Sequence, residues 1–192
     1  MKTTLRTLVA TLTLLIGYPA FAQHHAFKIN PDASTVAFIL PSNHDTTNGT
    51  FHVEEGIVNF DETSNSLSGL IVVSASSGNT GNASRDKKML TDVLQTTKFA
   101  DVTFAPESFM GSLAPAGDST LQVTGIFTLH GAPHAITVPM QIHIDGNVLT
   151  AKTTFKVPYV DWGLKDPSWF VLKVAKEVEV NLTLVGTVAT AK

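Results

Sequence analysis

Between residues 121 and 145 the chain alternates apolar and polar side chains with a period of two. Leu121, Val123, Gly125, Phe127 and Leu129 share one phase; Gln122, Thr124, Thr128 and His130 share the other, with Ile126 the exception. After Gly131-Ala132-Pro133 the alternation resumes, with Ile136, Val138, Met140, Ile142 and Ile144 set against Thr137, Gln141, His143 and Asp145. This period predicts two strands, each with one face buried. Glycine and proline between them predict an antiparallel hairpin whose turn is Gly131-Ala132-Pro133.

The same unit recurs along the chain. Strands are expected over residues 25–30, 34–40, 49–60, 67–76, 149–159 and 177–188, with a further one starting at Val102-Thr103-Phe104. The phase slips at Glu54-Glu55-Gly56, which predicts a bulge. The middle of 67–76 is apolar on both phases, so both faces should be covered there. Asp145-Gly146-Asn147 is a tight-turn signal. Residues 77–84 read as a glycine- and asparagine-rich loop, and residues 162–174 as irregular. One stretch changes period: Met89, Leu90, Val93 and Leu94 fit an amphipathic helix over 87–96, capped by Ser84 or Asp86. Eight or nine strands, one helix and no βαβ repeat define an all-β sandwich or barrel, and the length of the strands favours a closed up-and-down barrel. Periodicity does not decide whether its interior is filled or hollow.

The N-terminus changes the picture of where the chain works. Lys2 and Arg6 precede a short apolar stretch over residues 8–16 and a small-x-small site at Ala20-Phe21-Ala22. Residues 1–22 therefore read as a secretory signal peptide cleaved after Ala22, leaving residues 23–192 as one domain exported to the periplasm. No later apolar run is long enough to span a bilayer as a helix. Excluding Lys2 and Arg6, 11 basic residues face 16 acidic ones, and no basic patch suggests a nucleic-acid partner. The chain has no cysteine, which excludes disulfides, thiolate chemistry and cysteine-ligated metals.

Asp32-x-Ser34-x-Val36-x-Phe38, with His44 and Gly49-Thr50-Phe51 downstream, is similar to the opening pattern of the YceI-like family of periplasmic polyisoprenoid-binding proteins. Ser77-Gly78-Asn79-Thr80-Gly81-Asn82, then Arg85-Asp86 and Leu90, resembles the motif before its helix. Val102-Thr103-Phe104, Val123-x-Gly125, Leu129-His130-Gly131 and Asp161-Trp162-Gly163 match later elements in the same order. Departures are Asn79 at a position usually acidic, Lys88 where histidine is common, Phe99-Ala100 for Tyr-Pro, and a bulkier stretch over 166–174. The resemblance implies an extended eight-stranded antiparallel lipocalin-like barrel with one short helix. It also implies an apolar interior holding a polyisoprenoid, isoprenoid quinone or fatty-acid derivative, and no cofactor beyond that ligand.

For such a cargo the expected lining is Val36, Phe38, Phe51, Val123, Phe127, Met140, Phe155 and Leu182, all on inward phases. Each CH₂ withdrawn from water contributes about 0.8 kcal/mol, so a long chain needs few polar contacts. His44 and Arg85 are candidates for a polar headgroup. The competing roles are a solvated loop for His44, and a loop brace for Arg85 beside a helix-capping Asp86. Trp162, with Trp169 and Phe170, is expected to plug one barrel end or cover it as a lid. His130 and His134 have i, i+4 spacing, but a turn separates them, so no metal site is assigned there. If cleavage follows Ala22, Gln23-His24-His25 offers an amine, two amides and an imidazole for planar Cu(II).

No G-x-S-x-G, H-E-x-x-H or phosphate-loop motif is present, so no catalytic residue is assigned. The leading expectation is a non-enzymatic carrier or store of a long apolar molecule, with a homodimer compatible but not required. The alternatives are an enzyme acting on a lipid-like substrate and a small outer-membrane barrel. The first would need polar residues on the inward phase, and the second would need aromatic girdles that two tryptophans and two tyrosines cannot supply.

Overall fold

The computed structural model describes residues 24–190, with backbone only at His24 and Thr190. Nine strands form one antiparallel sheet: β1 (His24–Ile29), β2 (Thr35–Pro41), β3 (Thr46–Asp61), β4 (Ser66–Asn79), β5 (Asp101–Met110), β6 (Gly117–Leu129), β7 (Ala132–Asp145), β8 (Val148–Val157) and β9 (Val178–Thr190). The order runs β1-β3-β2-β9-β8-β7-β6-β5-β4, and the β3–β4 pairing closes it into a barrel.

Nine strands make eight staves. β1 pairs with Ile57–Asp61 of β3 and Gly186–Thr190 of β9, while β2 pairs with Thr46–Phe51 and Glu179–Thr183 of the same two strands. The two short strands therefore lie end to end in one slot, separated by a 3-10 turn at Pro31–Ala33 that Asn30 caps. Gly186 is required where β9 meets β1: a Cβ there would sit 2.1 Å from the Lys28 carbonyl oxygen.

The bulge expected at Glu54-Glu55-Gly56 is present as a register shift between Val53 and Glu55. The β6–β7 hairpin is tighter than its sequence suggested. Leu129 pairs with Ala132, so the turn is His130-Gly131 and Pro133 already lies in β7 opposite Thr128. Both turn residues have positive φ, +53° and +75°, the conformation of a type I′ turn, whose twist matches that of the flanking strands. The apolar middle of β4 is covered unevenly, with Ile71 and Val72 buried but Leu70 exposed.

The helix also begins earlier than expected. α1 spans Ala83–Lys88 and continues as one π-helical turn, Met89–Val93. Asn82 is its cap, accepting from the Ser84 and Arg85 amides; Ser84 and Asp86 are not. Thr91 donates its hydroxyl to the Lys87 carbonyl, and Leu94 N reaches Met89 O at 2.9 Å across five residues. A side chain competing for the i−4 carbonyl loosens the helical ladder at that point.

The barrel cavity as the candidate binding site

The barrel is hollow at the end that carries the β2–β3, β4–β5, β6–β7 and β8–β9 connections. A cavity of about 630 Å³ opens there, within the range of small-molecule sites. Val36 and Phe38 from β2, Phe51 from β3 and Phe127 from β6 line it, as do Met140 from β7, Phe155 from β8 and Leu182 from β9. Phe38 and Phe51 pack with ring centroids 5.4 Å apart, and Phe127 and Phe155 meet edge to face at 6.0 Å. Met89, Val93 and Leu94 of the helical segment joining β4 to β5 also line it. Val123 faces inward but lies deeper. It lines a separate space of about 90 Å³ in the other half of the barrel, and Ile71, Phe104 and Met140 border both spaces.

The cavity mouth is polar. Ser42 and Asp45 come from the β2–β3 turn, Thr80, Arg85 and Lys88 from the helical connection, and Trp169 from the β8–β9 connection. Arg85 is first a brace: Nε donates to Thr80 Oγ1 at 2.8 Å and Nη2 to the Thr80 carbonyl at 3.1 Å. Its remaining nitrogen stands 4.0 Å from Asp45, an exposed pair of little energetic consequence. Asp86, expected at the helix cap, instead accepts from the Thr80 amide at 2.9 Å and from its hydroxyl. His44 lies on the exposed β2–β3 turn, where its amide donates to Ser42 Oγ, and its side chain does not line the cavity.

The aromatic residues of the β8–β9 connection divide between two jobs. Trp162 is outside the cavity wall; it stacks on His134 at 3.8 Å and 6°, and packs against Phe127 at 5.8 Å. It packs against a small apolar cluster formed by Leu129, Val157, Tyr159 and Leu164, which themselves line the cavity. Trp169 is 75% exposed at the rim, and Phe170 at the tip beside it is 86% exposed. The β2–β3 turn holds that tip through Asn43, whose amide donates to Val171 O at 2.9 Å and whose Oδ1 accepts from Lys173 N at 2.8 Å. Asp166 accepts hydrogen bonds from Ser168 that, with Lys176 and Lys173 nearby, hold its carboxyl below the usual range. Tyr159 donates its hydroxyl to Ala175 O at 2.8 Å, and burial, with Asp166 nearby, pushes its pKa up to about 12.

His130 and His134 do not converge: one ring packs on Phe99 at 4.0 Å, the other on Trp162. Among the described residues no three metal-type donors group together. Gln23 lies outside the described residues. The amides of His24 and His25 belong to β1, paired with Asp61 and Phe60 of β3, and the His25 ring stacks on Phe60. A planar copper site would have to pull this end of β1 out of the sheet. Thr153, on the expected strand over 149–159, carries no motif, although among the described residues it is the one buried polar side chain. The rim residues Ser42, Asp45, Lys88 and Trp169 carried no periodic signal, because loops meet at the mouth only through the barrel's closure.

An eight-staved barrel enclosing an apolar cavity with a polar mouth defines a lipocalin-like binding fold. The sequence pattern of the YceI-like domain matches residues 27–186, and the chain belongs to that family. Among solved structures the chain is similar to Burkholderia cenocepacia BcnA, at 21% identity and a TM-score of 0.67, covering 83% of this chain and 99% of that one. It is also similar to a polyisoprenoid-binding domain from Saccharophagus degradans, described as implicated in plant cell wall breakdown, at 16% identity and a TM-score of 0.66, covering 85% and 98%. A Campylobacter jejuni YceI protein matches at 15% identity and a TM-score of 0.53, covering 99% of this chain and 94% of that one. Among curated proteins, none matches.

Proposed function

We propose that this protein is an exported, periplasmic carrier or store of a long apolar molecule of the isoprenoid class, held inside the barrel, and that it works without catalysis. The observation that carries this reading is the cavity of about 630 Å³, lined mostly by apolar side chains, with the charged residues Asp45, Arg85 and Lys88 at its mouth. The binding property named for the Saccharophagus relative supports the class of cargo. An outer-membrane barrel is disfavoured by its outward phase, where Lys152 and Lys156 alternate with inward Ala151 and Val157 on β8. The test is native mass spectrometry of protein purified without detergent from its own host. A bound lipid-sized mass that leaves on organic extraction and rebinds supports the reading. An empty protein that takes up no prenyl ligand, or one that fractionates with outer membranes, overturns it.

A further inference from the structure

Three consecutive large apolar side chains face water beside the cavity mouth. Trp169, Phe170 and Val171 are 75%, 86% and 59% exposed, and the first two are the most exposed large hydrophobics among the described residues. Apolar residues scattered singly on a surface are ordinary, whereas a contiguous run at the entrance of a binding site marks an interaction surface. The run is built rather than loose. The Trp169 and Leu172 amides each donate to the other's carbonyl, so Phe170 and Val171 form the apex of a tight turn. Asn43 fixes that turn from the β2–β3 side through its side chain, and its amide donates to Lys173 O at 2.9 Å. Trp169 and Leu172, at the foot of the turn, line the cavity; Phe170 and Val171 do not. The apolar lining therefore runs out of the cavity and onto the tip.

Charge is distributed to match. The connections at the open end, residues 42–45, 80–100, 130–131 and 158–177, hold seven of the 11 basic residues that follow residue 22, against six acidic ones. The three turns at the closed end are the opposite. With their flanking strand residues, over 61–66, 110–118 and 145–148, they hold four acidic residues and no basic one. Lys88 lies on the cavity rim, and exposed Lys173 follows the tip by two residues. An acidic protein thus presents its basic residues around the mouth, where the apolar tip also stands.

Resting on the carrier reading above, we propose that this tip docks the open end of the barrel on a bilayer surface rich in anionic phospholipid. Phe170 and Val171 enter the boundary between headgroups and acyl chains. Trp169 sits at headgroup level, where an apolar ring with one polar N–H is at home. The basic residues of the rim meet the anionic headgroups, and the acidic closed end is held away, so the protein approaches mouth first. Docking solves a problem that any carrier of a long apolar molecule faces. Passage through water exposes the whole chain, whereas passage along Trp169 and Leu172 keeps it against apolar surface. Two or three inserted side chains hold the protein only reversibly, as a carrier that must leave with its load requires.

The experiment uses the full mature chain, a decyl-tailed benzoquinone as cargo, and vesicles of phosphatidylethanolamine with phosphatidylglycerol or of phosphatidylcholine alone. The wild type should sediment with the anionic vesicles and be released by high salt. Its tryptophan emission should shift to the blue on docking, and Trp169→Phe should remove that shift. Phe170→Ser combined with Val171→Ser should weaken vesicle binding by at least about tenfold and slow quinone transfer to vesicles in step. Quinone occupancy before vesicles are added should not change, because neither residue lines the cavity. Lys173→Glu should weaken binding to the anionic vesicles several-fold and affect phosphatidylcholine less. If the wild type ignores anionic vesicles, or the serine variant binds them equally well, docking is overturned while the carrier reading stands. Quinone lost from the serine variant without vesicles would make the tip a lid, and a wild-type dimer that the variant dissolves would make it a self-association surface; either result overturns the proposal. Vesicle binding intact with no quinone uptake counts against the carrier reading alone.

Discussion

The two halves of this barrel follow one sequence rule and end differently. Both alternate inward apolar residues with outward polar ones on the same long strands. At the closed half, Phe27, Phe60, Phe109, Leu121, Leu149 and Leu184 converge from six strands and leave only about 90 Å³ between them. At the open half, Phe38 lies against Phe51 and Phe127 against Phe155, and a space of about 630 Å³ remains. In the open half the rings meet in pairs, one between neighbouring β2 and β3 and one between β6 and β8. The connections differ too: β7–β8 turns through Gly146 and Asn147, whereas residues 158–177 at the open end wrap around the mouth. Alternation decides which residues face in; the pairing of rings and the length of connections decide whether they fill the space.

The largest effects should come from the closed half. Leu184 is 2% exposed and sits in its core. Leu184→Asp would bury an unpaired carboxylate and should abolish folding, seen as loss of soluble protein or of cooperative unfolding. Leu184→Ala should cost about 2–5 kcal/mol in urea denaturation while leaving lipid occupancy of the folded fraction unchanged. If the alanine variant empties the cavity instead, the two halves are not independent.

The open half should show the reverse. Phe127→Trp adds volume where space already exists. It should lower lipid occupancy severalfold by native mass spectrometry, with a stability change within about 1 kcal/mol, smaller than the usual cost of overfilling a packed core. Unchanged occupancy in Phe127→Trp and in Phe155→Trp would show that the ligand does not reach these rings.

This contrast also marks what could be read from residues. The β6–β7 pair, the bulge at Glu54-Glu55-Gly56 and the Gly146 turn were legible because local period and turn chemistry specify them. The first turn of α1 was not, because Ala83-Ser84-Arg85-Asp86 carries no apolar period and its cap, Asn82, looked like loop. That β1 and β2 share a stave depends on pairing with β3 and β9, far away in sequence. Val123 and Phe127 share a phase and a strand, yet one lines the small space and the other the large one, a distinction set by depth along the axis. Arg85 as a brace and Trp162 as a stacking partner of His134 follow from contacts that no motif encodes.

The smallest predicted effect lies where the mouth is tied to the wall. Tyr159 follows β8 and donates to Ala175 just before β9, closing the base of the long connection. Replacing it with phenylalanine removes that hydrogen bond and leaves the carbonyl to water, which should cost about 1 kcal/mol near neutral pH. The pH dependence is more diagnostic. Its pKa in the folded protein is about 12 against 10.0 for the free side chain, so the folded state favours the neutral phenol. The protection is whole below pH 10 and is lost as pH rises from 10 toward 12, because only the unfolded chain ionises easily in that window. Two pH units set an upper bound of about 2–3 kcal/mol on that loss. Lysines titrate in the same range, so the quantity to measure is the difference between wild type and Tyr159→Phe in urea midpoint from pH 8 to 12. The wild type should be the more stable at pH 8, and the gap should close or reverse by pH 12. A gap that stays constant would mean that the Tyr159 hydroxyl reaches solvent when folded and that this side of the mouth is looser than its contact with Ala175 implies.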